Sequence, residues 1–259
     1  MITVQLPLRR TKRIKAFHRW FYDKPLKRDA LMLTYYYHCK YTGKVKGFKR
    51  EAKYTKLLDL TQTDDEILAG CNKTTRYHIR RAESKDNLTF GFVEDWEVFR
   101  DYYNEFAAQK ELGDVDDSIL SSYWEYCHVT KVEHEGQPMV MHAYLVDEEA
   151  SRVNLTYSAA HFRGMEDKEM RALNGRANRW LHFKDMMYFK EMGIRCFDFG
   201  GYAYQTEDPG MQAINTFKDG FGGEMVEESN YSSRGIVMLR RLKSVINARR
   251  AKRKRADKK

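Results

Sequence analysis

The stretch that decides the fold is Ile194–Glu224, IRCFDFGGYAYQTEDPGMQAINTFKDGFGGE. Its first six residues alternate in polarity and predict a buried strand that stops at Gly200-Gly201. Pro209 suits the first turn of a helix, where a missing N–H costs nothing, so a helix is expected over residues 209–219. The Gly-Phe-Gly-Gly run then predicts a turn, and a second strand follows over Glu224–Ser229. The predicted order is therefore strand, helix, strand.

Lys218 lies at the predicted end of this helix, directly after Phe217 and close to the glycines of both turns. A lysine among aromatic residues at such a junction can meet an anion, or an oxyanion that develops during a reaction. The pair is the first candidate for chemistry in this sequence.

Three segments resemble the FemABX family, relatives of the GNAT N-acetyltransferases that use aminoacyl-tRNA to lengthen peptidoglycan side chains. The pattern D-F-G-G followed by I-x-x-F-K-x-x-F-G-G-E is similar to the acyltransferase half of that family. Lys73–Ala82 resembles its K-x-x-R-x-x-I-R-R-A helix, and Asn174–His182 resembles the helix before the D-F-G-G strand in shorter members. The resemblance covers Leu57 to Ser229, which is most of the chain.

The order of the predicted elements agrees with the fold that this resemblance implies. Three strand-like runs occur at His128–His134, Gln137–Asp147 and Arg152–Ser158, and a helix, a strand, a helix and a strand follow. We therefore expect an α+β, GNAT-like fold with a mixed, mostly antiparallel twisted sheet flanked by helices.

The length of 259 residues limits how much of a FemABX protein the chain can hold. Members of the family usually carry two GNAT-like halves and are longer. We expect a partial first half over residues 1–84, with a basic N-terminal helix followed by strands and helices. A GNAT-like acyltransferase domain is expected over 85–239, and a basic tail over 240–259.

The net charge of +9 is unevenly distributed. Residues 1–28 carry a surplus of +8 and residues 239–259 a surplus of +10, which leaves −9 for the residues between them. Basic ends of this kind meet phosphates of nucleic acid or of anionic lipid. Phe17, Trp20 and Phe21 fall at helical spacing within residues 9–28, which predicts an amphipathic helix. Its aromatic face packs either on the protein core or on an anionic bilayer.

The sequence gives no sign of a secreted or membrane-spanning protein. No signal peptide and no run of 18 apolar residues is present, and the four cysteines show no C-x-x-C spacing. A cytoplasmic protein is expected, with peripheral contact to the inner face of the plasma membrane through the basic ends. No set of His, Cys and carboxylate residues has metal-ligand spacing, so no metal is expected.

The resemblance implies roles for the residues of the reaction centre. Lys218 is expected to stabilise the oxyanion, and Phe217 to position the attacked carbonyl. The general base stays open between Asp198, Glu224 and a water relay. Asp198 has an alternative, structural role, which is to accept hydrogen bonds from backbone N–H groups of the Gly200-Gly201 turn.

Basic residues on two predicted helices are candidates for substrate binding. Arg76 and Arg80 share a helix face with Lys73 one turn earlier, so the three form either a solvated basic face or a phosphate contact. Arg176 and Arg179 on the later helix can contact an acceptor phosphate. Asn178, Tyr202 and Glu224 complete the predicted substrate-binding set.

The leading hypothesis is an acyltransferase that moves an aminoacyl group from aminoacyl-tRNA, or another acyl group, to an amine of a cell-envelope precursor or related metabolite. No tightly bound cofactor is expected. One alternative is an acetyl-CoA-dependent N-acetyltransferase of a surface-polysaccharide sugar. However, the run Arg171–Ala177 is one residue too long for the GNAT pyrophosphate loop, which agrees with a FemABX-like donor. The other alternative is a non-catalytic module that binds RNA or membrane through the basic ends.

Overall fold

The computed structural model describes residues 1–8, 11–161, 166–242 and 244. Ten strands and six α-helices of these residues are numbered below. The strands are β1 (Ile2–Leu8), β2 (Thr11–Trp20), β3 (Thr34–Cys39), β4 (Phe48–Asp59), β5 (Leu88–Phe92), β6 (Cys127–His134), β7 (Gln137–Asp147), β8 (Arg152–Ala160), β9 (Cys196–Gly201) and β10 (Glu224–Ser233). The helices are α1 (Asp64–Gly70), α2 (Lys73–Lys85), α3 (Trp96–Gln109), α4 (Asp117–Tyr123), α5 (Lys168–Glu191) and α6 (Pro209–Asp219). Short 3-10 turns occur at Lys27–Leu31 and Trp124–Tyr126, and residues 234–242 are helical.

The chain divides into two compact units, one from Tyr54 to Val226 and the other from the chain before and after it. The boundaries expected after residues 84 and 239 stay predictions. Most of the basic tail predicted for 240–259 lies outside the described residues. Within the described part of the chain, no helix combines the length and the apolar composition that crossing a membrane requires.

The N-terminal segment forms strands, so the prediction of an amphipathic helix within residues 9–28 is wrong. β1 pairs antiparallel with β2, and β2 pairs in parallel with β3. The apolar residues Ile2, Val4 and Leu6 alternate and are buried, which marks β1 as a strand with one inward face. Because β1 and β3 supply hydrogen-bond partners on both sides, tertiary pairing overrides the helical spacing of the aromatic residues.

The larger unit is built on strands in the order β4-β9-β8-β7-β6-β5. The pairs in this series are antiparallel except for β8 with β9, which run parallel. The expected α+β class with a mixed, mostly antiparallel sheet is therefore confirmed.

Helices cover both faces of this sheet. On the face of α5, Trp180 and Leu181 pack with Val140 and Tyr144 of β7 in the main core. A second cluster on the opposite face joins residues of α3, β6 and β7, which include Phe99, Val129, Met141 and Ala143. Burying each large apolar side chain contributes about 1.5–3 kcal/mol to stability. Since residues two apart share a face, His142 faces α5 together with Val140 and Tyr144.

Local signals set the helix starts that position the site. Thr63 and Glu66 form the reciprocal capping box of α1. Asp208 accepts a hydrogen bond from the Met211 N–H and caps α6, where Pro209 occupies the first turn. α6 therefore has the bounds predicted for it.

Candidate active site

The parallel ladder between β8 and β9 ends early, and a glycine turn follows. The last pair joins Asn154 and Asp198. Gly200 then has a φ of 71°, and a Cβ atom there would lie 2.6 Å from the carbonyl oxygen of Leu155. Only glycine fits this close approach. Beyond the ladder, the carbonyl groups of Gly200 and Gly201 accept hydrogen bonds from a side chain.

That side chain is Lys218, in the last turn of α6. Its Nζ donates to the Gly201 oxygen at 2.6 Å and to the Gly200 oxygen at 3.3 Å. Burial lowers the pKa of Lys218 to about 8, against the opposing influence of Asp198. The third ammonium proton has no partner among the described residues, so it can donate to a substrate oxygen.

The ring of Phe217, the residue before Lys218, is held on several sides. The guanidinium carbon of Arg179 lies 4.8 Å from the ring centroid. The ring centroids of His182 and Phe221 lie 5.5 Å and 5.4 Å away. Packing on these sides fixes the orientation of Phe217, as a residue that positions a carbonyl requires.

A buried polar network connects α5 with β7. Asp185 Oδ2 accepts from the Tyr144 hydroxyl at 2.6 Å and lies 2.8 Å from His142 Nδ1. His142 Nε2 lies 3.0 Å from Asn178 Oδ1. The His182 ring stacks on His142 with centroids 4.1 Å apart. Burial lowers the pKa of His182 well below its usual value, so this ring supports Phe217 in its neutral form.

His142, His182 and Asp185 are also near enough to hold a metal ion, since ligand atoms of the three lie within 4.8 Å of one another. A metal would have to replace the hydrogen bonds of His142 to Asp185 and Asn178. It would also have to separate the stacked rings. Both ring nitrogens of His142 have partners, although Asp185 Oδ1 is buried without one, and we assign no metal to this cluster.

Asp198 is fully buried and holds strands together. One carboxylate oxygen accepts from the Thr55 hydroxyl and from the Gly200 N–H at 2.8 Å. The other accepts from Arg152 at 2.5 Å and from Asn154 at 2.7 Å. The bond to Gly200 is the one that the structural alternative predicts. Because these donors surround the carboxylate, Asp198 is poorly placed to take a proton from a substrate.

Several known structures are similar to this chain at low sequence identity. FemX is 14% identical over 73% of this chain and 63% of its own, with a TM-score of 0.56. The C-terminal domain (DUF2156) of a proposed lysylphosphatidylglycerol synthetase from Agrobacterium fabrum is 17% identical over 85% and 73%, with a TM-score of 0.51. A GCN5-related N-acetyltransferase from Kribbella flavida is 10% identical over 73% and 60%, with a TM-score of 0.38.

The first two likenesses confirm, at the level of the fold, the predicted resemblance to FemABX proteins. The chain spans 63% of the length of the FemX chain, which is less than two thirds. No protein-family model matches the sequence, and no curated protein matches it in sequence.

The predicted basic face on α2 is present, but its members differ in their contacts. Lys73 and Arg80 are exposed, whereas Arg76 is half-buried and donates to the backbone oxygens of Ala69 at 2.9 Å and Cys71. Arg76 therefore ties α2 to the turn before it. A groove of about 460 Å³ runs along this face, lined by Lys73, Arg76, Tyr77, Arg80, Arg81, Ser84 and Lys85.

Arg176 makes a structural contact in place of the expected phosphate contact. Its guanidinium forms a bidentate ion pair with Asp86, at 2.5 Å and 3.0 Å, and both side chains are nearly buried. Asp86 ends α2, and α2 packs against α5. The oxygen of Asn178 likewise lies against His142. Arg176 and Asn178, both predicted to bind substrate, thus direct their side-chain polar groups to partners within the protein.

We expect Arg176→Gln to lower the free energy of unfolding by about 3 kcal/mol, because it removes the main partner of a buried carboxylate. The KM for either substrate should stay unchanged. Chemical denaturation and steady-state kinetics measure the two effects, and Arg171→Gln, an exposed arginine on the same helix, is the matched control. Normal stability with a raised KM would return Arg176 to its predicted substrate role.

Tyr202 directly follows β9, and Glu224 is the first residue of β10. The Tyr202 hydroxyl donates to Asp219 at 2.9 Å. Asp219 follows Lys218 in α6. Glu224 is exposed and lines a pocket of about 650 Å³ with Cys196, the first residue of β9. The hydrogen bonds of Lys218 Nζ go to Gly200 and Gly201, and Glu224 is not among the partners of Lys218.

His182, Asp185 and Tyr144 belong to the site's support, and the sequence-based interpretation missed them. A signal was present on α5, where Asn178, His182 and Asp185 are spaced four and three residues apart. Such a spacing places them on one helix face. Polar side chains on a face that is otherwise buried indicate an internal hydrogen-bond network.

Proposed function

We propose that this chain is an aminoacyltransferase that moves an aminoacyl group from aminoacyl-tRNA to an amine of a cell-envelope precursor. The observation that carries the proposal is the Phe217-Lys218 pair. Its ammonium is half-buried, has a lowered pKa and is fixed on the carbonyl groups of a glycine turn with one proton left to donate. The folds of FemX and of the DUF2156 domain support the same proposal.

The reaction is the attack of an amine on an ester. The amine nitrogen forms a bond to the carbonyl carbon, the carbonyl oxygen becomes an oxyanion, and the bond to the ribose oxygen of the tRNA then breaks. The amine loses a proton and the ribose oxygen gains one. Because the ester is already activated, alignment and oxyanion stabilisation suffice, and no covalent enzyme intermediate is required.

Lys218 stabilises the oxyanion in this scheme. With a pKa of about 8, its side chain is mostly protonated at neutral pH and can donate to the developing negative charge. The two glycine carbonyls fix the ammonium before substrate binds, so little reorganisation is needed during the reaction. Phe217, the preceding residue of α6, orients the attacked carbonyl.

A water relay is the remaining candidate for the proton acceptor. Asp198 is surrounded by donors, and Glu224 is exposed and is not a partner of Lys218. A relay needs no side chain with a raised pKa, because the amine becomes strongly acidic once it has attacked the ester.

The N-terminus of α5 favours a donor other than acetyl-CoA. GNAT enzymes place the CoA pyrophosphate at the N-terminus of the corresponding helix, where the helix dipole attracts anions. In this chain Asp167 caps that helix by accepting from the Glu169 N–H at 2.8 Å, and Glu169 adds a second carboxylate to the first turn. Lys168 and Arg171 offset these charges, but the Asp167 side chain occupies an N–H group that a pyrophosphate would need. The exposed cations on α2 instead provide a face for an RNA backbone.

The deciding experiment incubates the full chain separately with aminoacyl-tRNA and with acetyl-CoA, and follows consumption of each donor. We expect RNase-sensitive loss of the aminoacyl ester in the presence of an envelope-precursor amine, and a rate about a hundredfold lower with Lys218→Ala. Consumption of acetyl-CoA in its place would support the N-acetyltransferase. Binding of RNA or vesicles with no turnover of either donor would support the non-catalytic module.

A further inference from the structure

Arg179 carries a positive charge in a half-buried place with no counter-charge. Its Nη1 donates to the Gly175 oxygen at 3.0 Å, and its guanidinium lies over the Phe217 ring. Its Nε is buried and makes no hydrogen bond, and no described residue forms an ion pair with it. Burial lowers the pKa of Arg179.

Two other arginines show that such a side chain ordinarily has a carboxylate partner. Arg176, one turn earlier on the same helix, pairs with Asp86. Arg100 lies over the ring of Trp96, much as Arg179 lies over Phe217, and pairs with Asp101 at 2.8 Å and Asp117 at 3.5 Å. A charge removed from water without a partner costs several kcal/mol, so proteins supply one. For Arg179 the partner is expected to come from outside the protein.

We propose that Arg179 binds a phosphate group of the substrate beside the reaction centre. Nη1 donates to Gly175 and Nε is buried, so Nη2, which makes no hydrogen bond among the described residues, is the atom that can meet a phosphate oxygen. The Phe217 ring holds the guanidinium in place, and Phe217 is followed by Lys218. The inference rests on the proposed function, because the phosphate belongs either to the terminal nucleotide of the donor or to the acceptor.

The first test measures binding of inorganic phosphate to the full chain by calorimetry at constant ionic strength. We expect Arg179→Gln to weaken binding at least tenfold and Arg179→Lys to weaken it less. Arg100→Gln is the matched control, since it removes an arginine over an aromatic ring elsewhere, and it should bind as the unchanged protein does. Equal affinity in Arg179→Gln, or no binding to the unchanged protein, would overturn the proposal.

Two further probes distinguish the sources of the phosphate. AMP represents the terminal nucleotide of a tRNA donor, and glycerol 1-phosphate represents an acceptor headgroup. Tighter binding of either, lost in Arg179→Gln, supports the proposal and identifies the source. Failure of both to bind in an Arg179-dependent way counts against it.

A stability measurement separates binding from packing. Removal of an uncompensated buried charge should leave the melting temperature of Arg179→Met unchanged or raise it, whereas a packing residue would lower it. A lowered melting temperature of Arg179→Met together with normal phosphate binding would overturn the proposal. The outcome is independent of turnover, since phosphate binding that depends on Arg179 would stand even if aminoacyl-tRNA proved not to be the donor.

Discussion

Lys218→Ala is expected to lower the turnover of aminoacyl-tRNA about a hundredfold, equivalent to about 2.7 kcal/mol of barrier. The substitution removes the ammonium that donates to the oxyanion, while the glycine turn that it contacts stays in place. Phe217 and the network beneath it do not depend on this side chain, so the fold should be retained. Single-turnover kinetics with charged tRNA measure the effect, and circular dichroism checks the fold.

Lys218→Arg provides the control for charge. In the unchanged protein the ammonium is lost as the pH rises through its pKa of about 8, so the rate that depends on it should fall above that pH. An arginine stays protonated to a pKa above about 12, so the fall should disappear from the accessible range. Turnover of Lys218→Ala at the unchanged rate, or identical pH profiles for the two proteins, would reject the role of Lys218.

Asp198→Ala is expected to lower the free energy of unfolding by about 3–5 kcal/mol, the range for breaking a buried ion pair. The carboxylate accepts from donors on β4, β8 and β9, including Arg152 and the Gly200 N–H. Its removal also releases the turn that presents the Gly200 and Gly201 carbonyls to Lys218. Denaturant unfolding followed by tryptophan fluorescence measures the loss.

Asp219→Ala is the matched control for an aspartate in a partly exposed ion pair. Asp219 pairs with Lys56 at 2.8 Å and is 45% exposed, so its removal should cost at most about 1 kcal/mol. Asp198→Asn retains the shape and some of the hydrogen bonds, so its stability should lie between the two alanine variants. A stable Asp198→Ala protein with no activity would instead favour the role of general base.

The sequence by itself determined the elements around the reaction centre. The alternation before Gly200 predicts β9, and Pro209 predicts the start of α6. These signals work because caps, prolines and glycine turns act on the backbone within a few residues. The position of Lys218 at a helix end beside a glycine turn follows from them. The resemblance to the FemABX family added the α+β fold, which the structure confirms.

Only the tertiary structure decided which partners the polar residues have. Arg176 and Arg179 look alike in the sequence, yet Arg176 faces Asp86 and Arg179 faces an aromatic ring without a carboxylate. Residues 11–20 became a strand because partner strands were available on both sides. The lowered pKa of Lys218 likewise arises from burial by distant segments. Pairing, burial and charge compensation depend on residues far apart in the chain, so no local pattern encodes them.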